Sequence, residues 1–285
     1  MSEREWQEAA DTRTPAVWLA LVIVGGAALR FWALGSGVPF AVGVDEPAIM
    51  TTVVRMLKSG DFNPGFFEYP TGYIYAQLGL AVVRFILGTM QRMWYAVEQV
   101  GPGDFYLWGR ALTAALGSAS VLLLFRAGTR WGTRPALLAA ALLAVLPMHV
   151  RESHFVLTDV PMTFAVVLTL LLSLRSLERQ TLGALALAGA AAGLAAGIKY
   201  NGLFSLVMPL VAALAASRSR APVAARVLVA AGACVGVFAC TTPYAMLDLP
   251  AFLNGFGNQA RAFRPRTRFD DSAWVLYAKH LVLSF

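Results

Sequence analysis

Residues 105–125, FYLWGRALTAALGSASVLLLF, residues 126–134, RAGTRWGTR, and residues 135–150, PALLAAALLAVLPMHV, form one continuous stretch. Two apolar runs flank a short link that carries three arginines. About 20 apolar residues carry a helix across roughly 30 Å of hydrocarbon, and a basic link between two such runs is what a tight turn on the cytoplasmic side of a membrane looks like. The same alternation runs through the chain. Apolar runs recur at 15–34, 73–88, 160–174, 182–198, 202–216 and 227–242. With 58% hydrophobic and only 14% charged residues, and a mean hydropathy of +0.63, the composition excludes a soluble core and predicts an all-α, polytopic transmembrane helical bundle.

The net charge of +7 comes from basic residues at the ends of apolar runs, where topology and anionic headgroups account for them, so no nucleic-acid partner is expected. Cys234 and Cys240 lie in one apolar run and suggest neither a disulfide nor a metal site. The first run is too long and too rich in Trp for a cleaved signal peptide and reads as an anchor. The chain reads as a single module over 1–285. Because a new apolar stretch opens near Ala273 and is cut at Phe285, it also reads as the N-terminal portion of something longer.

Three links, 126–134, 175–180 and 217–226, hold eight basic residues, whereas 149–158 and 199–201 hold two. The positive-inside rule puts the first three in the cytoplasm, together with the N-terminus. Parity then requires one run to lie flat. Tyr73 to Gly88, interrupted by Arg84, is the candidate for an amphipathic helix at the outer surface. Crossings are expected at 15–34, 105–125, 135–150, 160–174, 182–198, 203–216 and 227–242, with a long first extracytoplasmic loop over 35–104 that contains interfacial helices. This topology sends Asp45, Glu46, Glu68, His149, Arg151, Glu152, His154, Asp159, Lys199, Tyr200, Asn201 and the arginines of 261–268 to the extracytoplasmic face. No nucleotide-binding motif accompanies them, so an activated substrate has to arrive through the bilayer.

Four segments carry the candidate chemistry. Residues 43–60, GVDEPAIMTTVVRMLKSG, read as a turn and a helix opened by Asp45 and Glu46 with Pro47 in its first turn. Acids there either cap the helix and meet its dipole, or form a close pair in which one carboxyl serves as a general base. Residues 65–75, GFFEYPTGYIY, place Glu68 and Tyr69 in an aromatic turn that suits an interfacial belt or a sugar platform. Residues 149–161, HVRESHFVLTDVP, offer His149, His154 and Asp159, with Asp159 as a helix start or a site acid. The two histidines give a weak metal signal without a third ligand, so a divalent metal is possible and no metal ligand set is assigned. Lys199 closes a helix beside Tyr200 and either snorkels or reaches a lipid phosphate. Arg30 and Arg110, inside helices, need water, a carboxylate or a phosphate nearby.

Several pieces in this order resemble the GT-C superfamily of polyprenyl-phosphate-sugar-dependent glycosyltransferases, in particular the glycosyltransferase 39-like branch that includes protein O-mannosyltransferases and aminoarabinose lipid A transferases. They are LRFW at 29–32, the DE pair and SGDF at 59–62, FEYP at 67–70, Asp159 before a helix, GLAAGIKYNG at 193–202 and TTPYAMLD at 241–248. The resemblance covers essentially the whole chain as the transmembrane module of that fold. It implies transfer of a sugar, with inversion, from a polyprenyl-phosphate donor to a protein, lipid or glycan acceptor at the extracytoplasmic face of the cell (inner) membrane.

It also implies Asp45 as catalytic base with Glu46 beside it, Asp159 as a second site acid, and Lys199 near the carrier phosphate. Glu68, Tyr69, Arg55, Arg110, His154 and Tyr200 complete the expected substrate-binding set. Aminoarabinose transferases read FEKP where this chain has Tyr69, so Arg55, Arg110 or Lys199 has to supply the missing cation, and the sugar stays open. A lipid-linked polymer ligase and a secondary transporter are the competing readings.

Overall fold

The computed structural model describes residues 3–262 together with Val275. The expected crossing from Ala273 and the basic residues Arg264, Arg266 and Arg268 lie outside the described residues. The elements in chain order are α1 (Glu3–Phe31), α2 (Glu46–Ser59), α3 (Gly72–Met90), α4 (Tyr106–Gly128), α5 (Thr133–Val145), α6 (Pro147–Glu152), α7 (Asp159–Arg179), α8 (Leu182–Ile198), α9 (Val207–Ala215), α10 (Val223–Thr241), α11 (Tyr244–Leu247) and α12 (Leu249–Ala262). No strand occurs among the described residues.

By length and composition α3, α4 with the turn that follows it, α7 and α10 can each cross a membrane, and shorter apolar helices run over Pro15–Phe31, Thr133–Val145, Leu182–Ile198 and Tyr200–Ala215. The chain is a multi-pass membrane protein. Two expected crossings are not single helices. The 135–150 run breaks at Leu146, which is extended (ψ 113°) because Pro147 disfavours the helical conformation in the residue before it. In the 203–216 run a 3₁₀ stretch, Tyr200–Leu206, leads into α9.

The helices define two ends of a bundle. The starts of α4 and α7 and the ends of α1, α8 and α10 share one, here the acidic end. The links after α4, α7 and α9 share the other, the arginine end. Length alone would admit α3 as a crossing, but its packing does not follow the bundle axis. Its first residue, Gly72, rests against Gly197 and Thr241 at the ends of α8 and α10. Near its last turn, Gly88 rests against Trp94, whose ring lies 6.2 Å from that of Phe105, next to the start of α4. Both ends of α3 therefore sit at the acidic end. Below it, α2 turns Ile49, Met50, Val53 and Met56 into a core shared with Tyr73, Ile74 and Leu78, the one-sided pattern of a helix lying on a surface. Gly60, at φ +69°, ends α2 with its N–H on the Met56 carbonyl, a left-handed stop that glycine adopts without strain.

Helix α8 packs on α10 through Gly189, Gly193 and Gly197, four residues apart on one face. Each faces α10 so closely that a Cβ would overlap Ala230, Cys234 or Thr241. In hydrocarbon, where apolar side chains gain nothing by leaving lipid, such close backbone approach is what holds helices together. Gly193→Val is expected to destabilise the protein by about 1–3 kcal/mol through overpacking, read as a lower thermal midpoint in detergent. Gly183→Ala, on the same helix with open space around it, should leave the midpoint unchanged or raise it. Equal midpoints for the two variants would remove the close-packing account.

Candidate active site

The acidic end gathers residues from five parts of the chain. Asp45 precedes α2 and makes no side-chain capping bond, so the capping explanation for this acid does not apply. Its Oδ2 instead accepts a hydrogen bond from the Tyr69 hydroxyl at 2.9 Å. Lys199, held extended just past α8, donates to Asp159 Oδ1 at 2.6 Å, at the start of α7. The two pairs meet over Tyr69, whose ring centroid lies 5.9 Å from Lys199 Nζ. Burial pushes the Tyr69 phenol well above its ordinary range, as do the bond to Asp45 and the charges of Asp45, Asp159 and Glu68. Tyr69 is therefore a proton donor at neutral pH, and among the described residues the second Asp45 oxygen has no hydrogen-bond partner.

Of these groups Tyr69 and Lys199 line a cavity of about 240 Å³, together with Glu68, Tyr200, Asn201, Phe256 and Gln259, while Asp45 and Asp159 stand behind them, bonded to Tyr69 and Lys199. Tyr200 is fixed by donating to the Phe67 carbonyl at 2.8 Å and by an edge contact with Phe256, ring centroids 5.0 Å apart. Through Tyr200, Asn201 and Phe256 the cavity adjoins a second, of about 520 Å³, whose further lining includes Leu203, Phe204, Val235, Phe238 and Phe252. Both cavities are lined mainly by apolar surface, and the first differs in having Glu68 and Lys199 on its wall.

Other expected site residues are placed elsewhere. Glu46 and Arg110 are 0% and 1% exposed and form a two-pronged ion pair, Arg110 Nε to Oε1 and Arg110 Nη2 to Oε2, both at 2.8 Å. The remaining Glu46 capacity is taken by the amides of Gly43 (2.9 Å), Val42 (3.2 Å) and Val156 (2.9 Å). Arg110 Nη1 donates to the carbonyls of Leu34 at 3.0 Å and Ser36 at 2.8 Å. Burial alone would raise the Glu46 carboxyl. The Arg110 bonds and the amides of Gly43 and Val156 outweigh it and hold the group below the ordinary carboxylate range. Neither residue lines the cavity.

Arg55 is exposed on α2 and donates to the carbonyls of Asn63 and Pro64, bracing the loop before Glu68. His154 has both ring nitrogens on backbone carbonyls, of Val150 at 2.8 Å and Trp32 at 3.0 Å. His149 Nδ1 accepts from Arg30, and among the described residues no group of three or more His, Cys, Asp or Glu side chains could hold a metal ion. Of the three cations expected to replace the lysine of FEKP, only Lys199 reaches the neighbourhood of Tyr69.

The sequence reading missed the contribution of α12, which supplies Phe252, Phe256 and Gln259. Its apolar residues recur at helical spacing, at Leu249, Phe252, Leu253 and Phe256, a signal outweighed there by the arginines beyond it.

The family model described as dolichyl-phosphate-mannose-protein mannosyltransferase matches residues 103–246, just over half of the chain. That span holds Asp159, Lys199 and Tyr200, and lies beyond Asp45 and Tyr69. Among solved structures, the Saccharomyces cerevisiae protein O-mannosyltransferase Pmt1–Pmt2 complex bound to the sugar donor matches with a TM-score of 0.60 and 19% identity. The match covers 84% of this chain and 34% of that one. The chain thus spans about a third of the yeast chain's length. A search of curated proteins gave no match.

Proposed function

Because the chain belongs to the dolichyl-phosphate-mannose-protein mannosyltransferase family, we propose that its acidic end transfers a sugar from a polyprenyl-monophosphate donor to an acceptor hydroxyl, with inversion, at the extracytoplasmic face of the cell membrane. The observation that carries this reading is the junction of the two cavities. A chamber with Lys199 and Glu68 on its wall, backed by the Asp45–Tyr69 and Asp159–Lys199 pairs, adjoins an almost wholly apolar groove, the shape a lipid-linked phosphate demands.

The acceptor oxygen attacks the anomeric carbon as the carbon–oxygen bond to the carrier phosphate breaks. Asp45 takes the acceptor's proton on the oxygen that Tyr69 leaves unengaged. A positioned carboxylate of this kind contributes about 10² to 10⁴ in rate. The departing phosphate keeps the electron pair, and its charge develops beside Lys199, which Asp159 holds in place. The carrier tail lies in the groove lined by Phe204, Phe238 and Phe252.

Glu46 and Arg110 serve as positioning residues that lock the 34–43 loop, the start of α2 and the 155–156 loop around Asp45. Arg55 and His154 brace loops rather than substrate. Mannose is the sugar to try first, on the family's description. The bonds of Arg110 to the Leu34 and Ser36 carbonyls and of His154 to the Trp32 carbonyl tie the start of the first loop to the acidic end, which agrees with that loop facing the same side as Asp159 and Lys199.

A pyrophosphate-linked glycan, the donor of a polymer ligase, asks for more positive charge than Lys199, the single cation among the described residues lining the chamber. A transporter needs no carboxylate aimed at an anomeric carbon and would leave its lipid intact. Purified protein given polyprenyl-monophosphate mannose and an acceptor should release polyprenyl phosphate in step with glycosylated product. Release from a pyrophosphate donor only, or none, overturns the assignment. Lys199→Ala should raise the donor KM by about tenfold or more, the scale of a lost charge-assisted bond. An unchanged donor KM would remove Lys199 from the phosphate.

A further inference from the structure

At the arginine end, two neighbouring clefts take no part in this chemistry. The first, of about 410 Å³, lies between the turn at 178–182 and the link at 218–221, and its cations are Arg179, Arg218 and Arg220. The second, of about 400 Å³, lies between the end of α4 and α7, with Arg126, Arg130 and Arg175 on its walls. Glu178 lines both, and Arg130 engages it at 3.2 Å. It is the one carboxylate among the described residues lining either cleft.

The walls of the first cleft are tied together. The Arg218 backbone N–H donates to Gln180 Oε1 at 2.6 Å, and Gln180 holds a left-handed conformation (φ +50°) that turns the chain from α7 into α8. Helix α7 ends and helix α8 starts at this cleft, so their dipoles oppose each other and the positive potential comes from the three arginines. Exposed Leu182 on the wall and exposed Val223 at the start of α10 carry apolar surface away from the cleft along the helices. Positive cavities at the ends of membrane-crossing helices, continuous with lipid-facing surface, match an anion that is itself attached to acyl chains.

We propose that these clefts seat the phosphodiester headgroups of anionic phospholipid. The site is separate from the glycosyl-transfer reading and stands or falls without it. The measurement is native mass spectrometry of the full chain in detergent, titrated with phosphatidylglycerol or phosphatidylcholine. Phosphatidylglycerol should be retained preferentially. Each arginine removed from the first cleft is expected to weaken it about fivefold, so R218A/R220A about 25-fold.

Arg134 opens α5 at the same end but lines neither cleft. R134A therefore removes the same charge and should leave retention unchanged. If R134A costs as much as R218A, a diffuse surface potential replaces the site and the proposal fails. It fails equally if phosphatidylcholine is retained as well as phosphatidylglycerol, or if inorganic phosphate at matched concentration displaces the lipid, which would make the clefts seats for a free anion.

Discussion

Asp45→Asn is expected to lower the rate of sugar transfer by about 10² to 10⁴ while the thermal midpoint stays within the reach of a single hydrogen bond, about 0.5–1.5 kcal/mol. The asparagine keeps the shape of the side chain and an oxygen that still accepts from Tyr69, now at 2.9 Å from Asp45 Oδ2. What it loses is the capacity to take a proton. Because Asp45 makes no capping bond to α2, the substitution has little to disturb in the helix itself. The measurement is a side-by-side turnover and thermal-unfolding comparison of purified wild type and variant. A variant that transfers at the wild-type rate removes Asp45 from the base role. A midpoint that falls in proportion to activity would mean that Asp45 holds the fold instead.

Arg110→Met is expected to produce the largest loss of stability, about 3–5 kcal/mol, because it strands the buried Glu46 carboxylate without its counter-charge. The carbonyls of Leu34 and Ser36 lose their donor in the same step. Pairing it with Glu46→Gln should cost less than the sum of the two single changes, since the glutamine oxygen still accepts from the Gly43 and Val156 amides and no unpaired charge is left inside. The sign of the pH dependence follows from the lowered Glu46 value. The pair's contribution is fully present above the ordinary carboxylate value of 4.5 and is lost as pH falls below it through the lowered one. An Arg110→Met protein that unfolds at the wild-type temperature but binds donor poorly would return Arg110 to the substrate.

These two experiments separate residues that look alike in the sequence. Asp45 and Glu46 are adjacent carboxylates at one helix start, and nothing in their order says which serves chemistry. Helical geometry points neighbouring side chains in different directions, so one acid meets Tyr69 beside the chamber and the other meets Arg110, 64 positions along the chain. Arg55, Arg110 and Lys199 were equally good candidates for a phosphate-facing cation. Two of them are spent on the protein's own carbonyls and carboxylate, and only Lys199 comes near the cavity.

The apolar runs determined, without any structure, that the chain folds as a bundle of membrane helices, because hydrocarbon leaves backbone amides no partner outside a helix. The placement of basic links and acid-bearing loops likewise determined that the ends of the bundle differ in charge. Charge parity had already singled out α3 as the run that lies flat, and the packing of its two ends at the acidic end agrees; tertiary structure alone decided that α12 closes the chamber with Phe256 and Gln259 and the groove with Phe252. It also decided which charged groups neutralise one another. Hydropathy is summed along the chain, whereas the partner of a buried charge is set by distance in space, between residues whose separation in sequence carries no record of it.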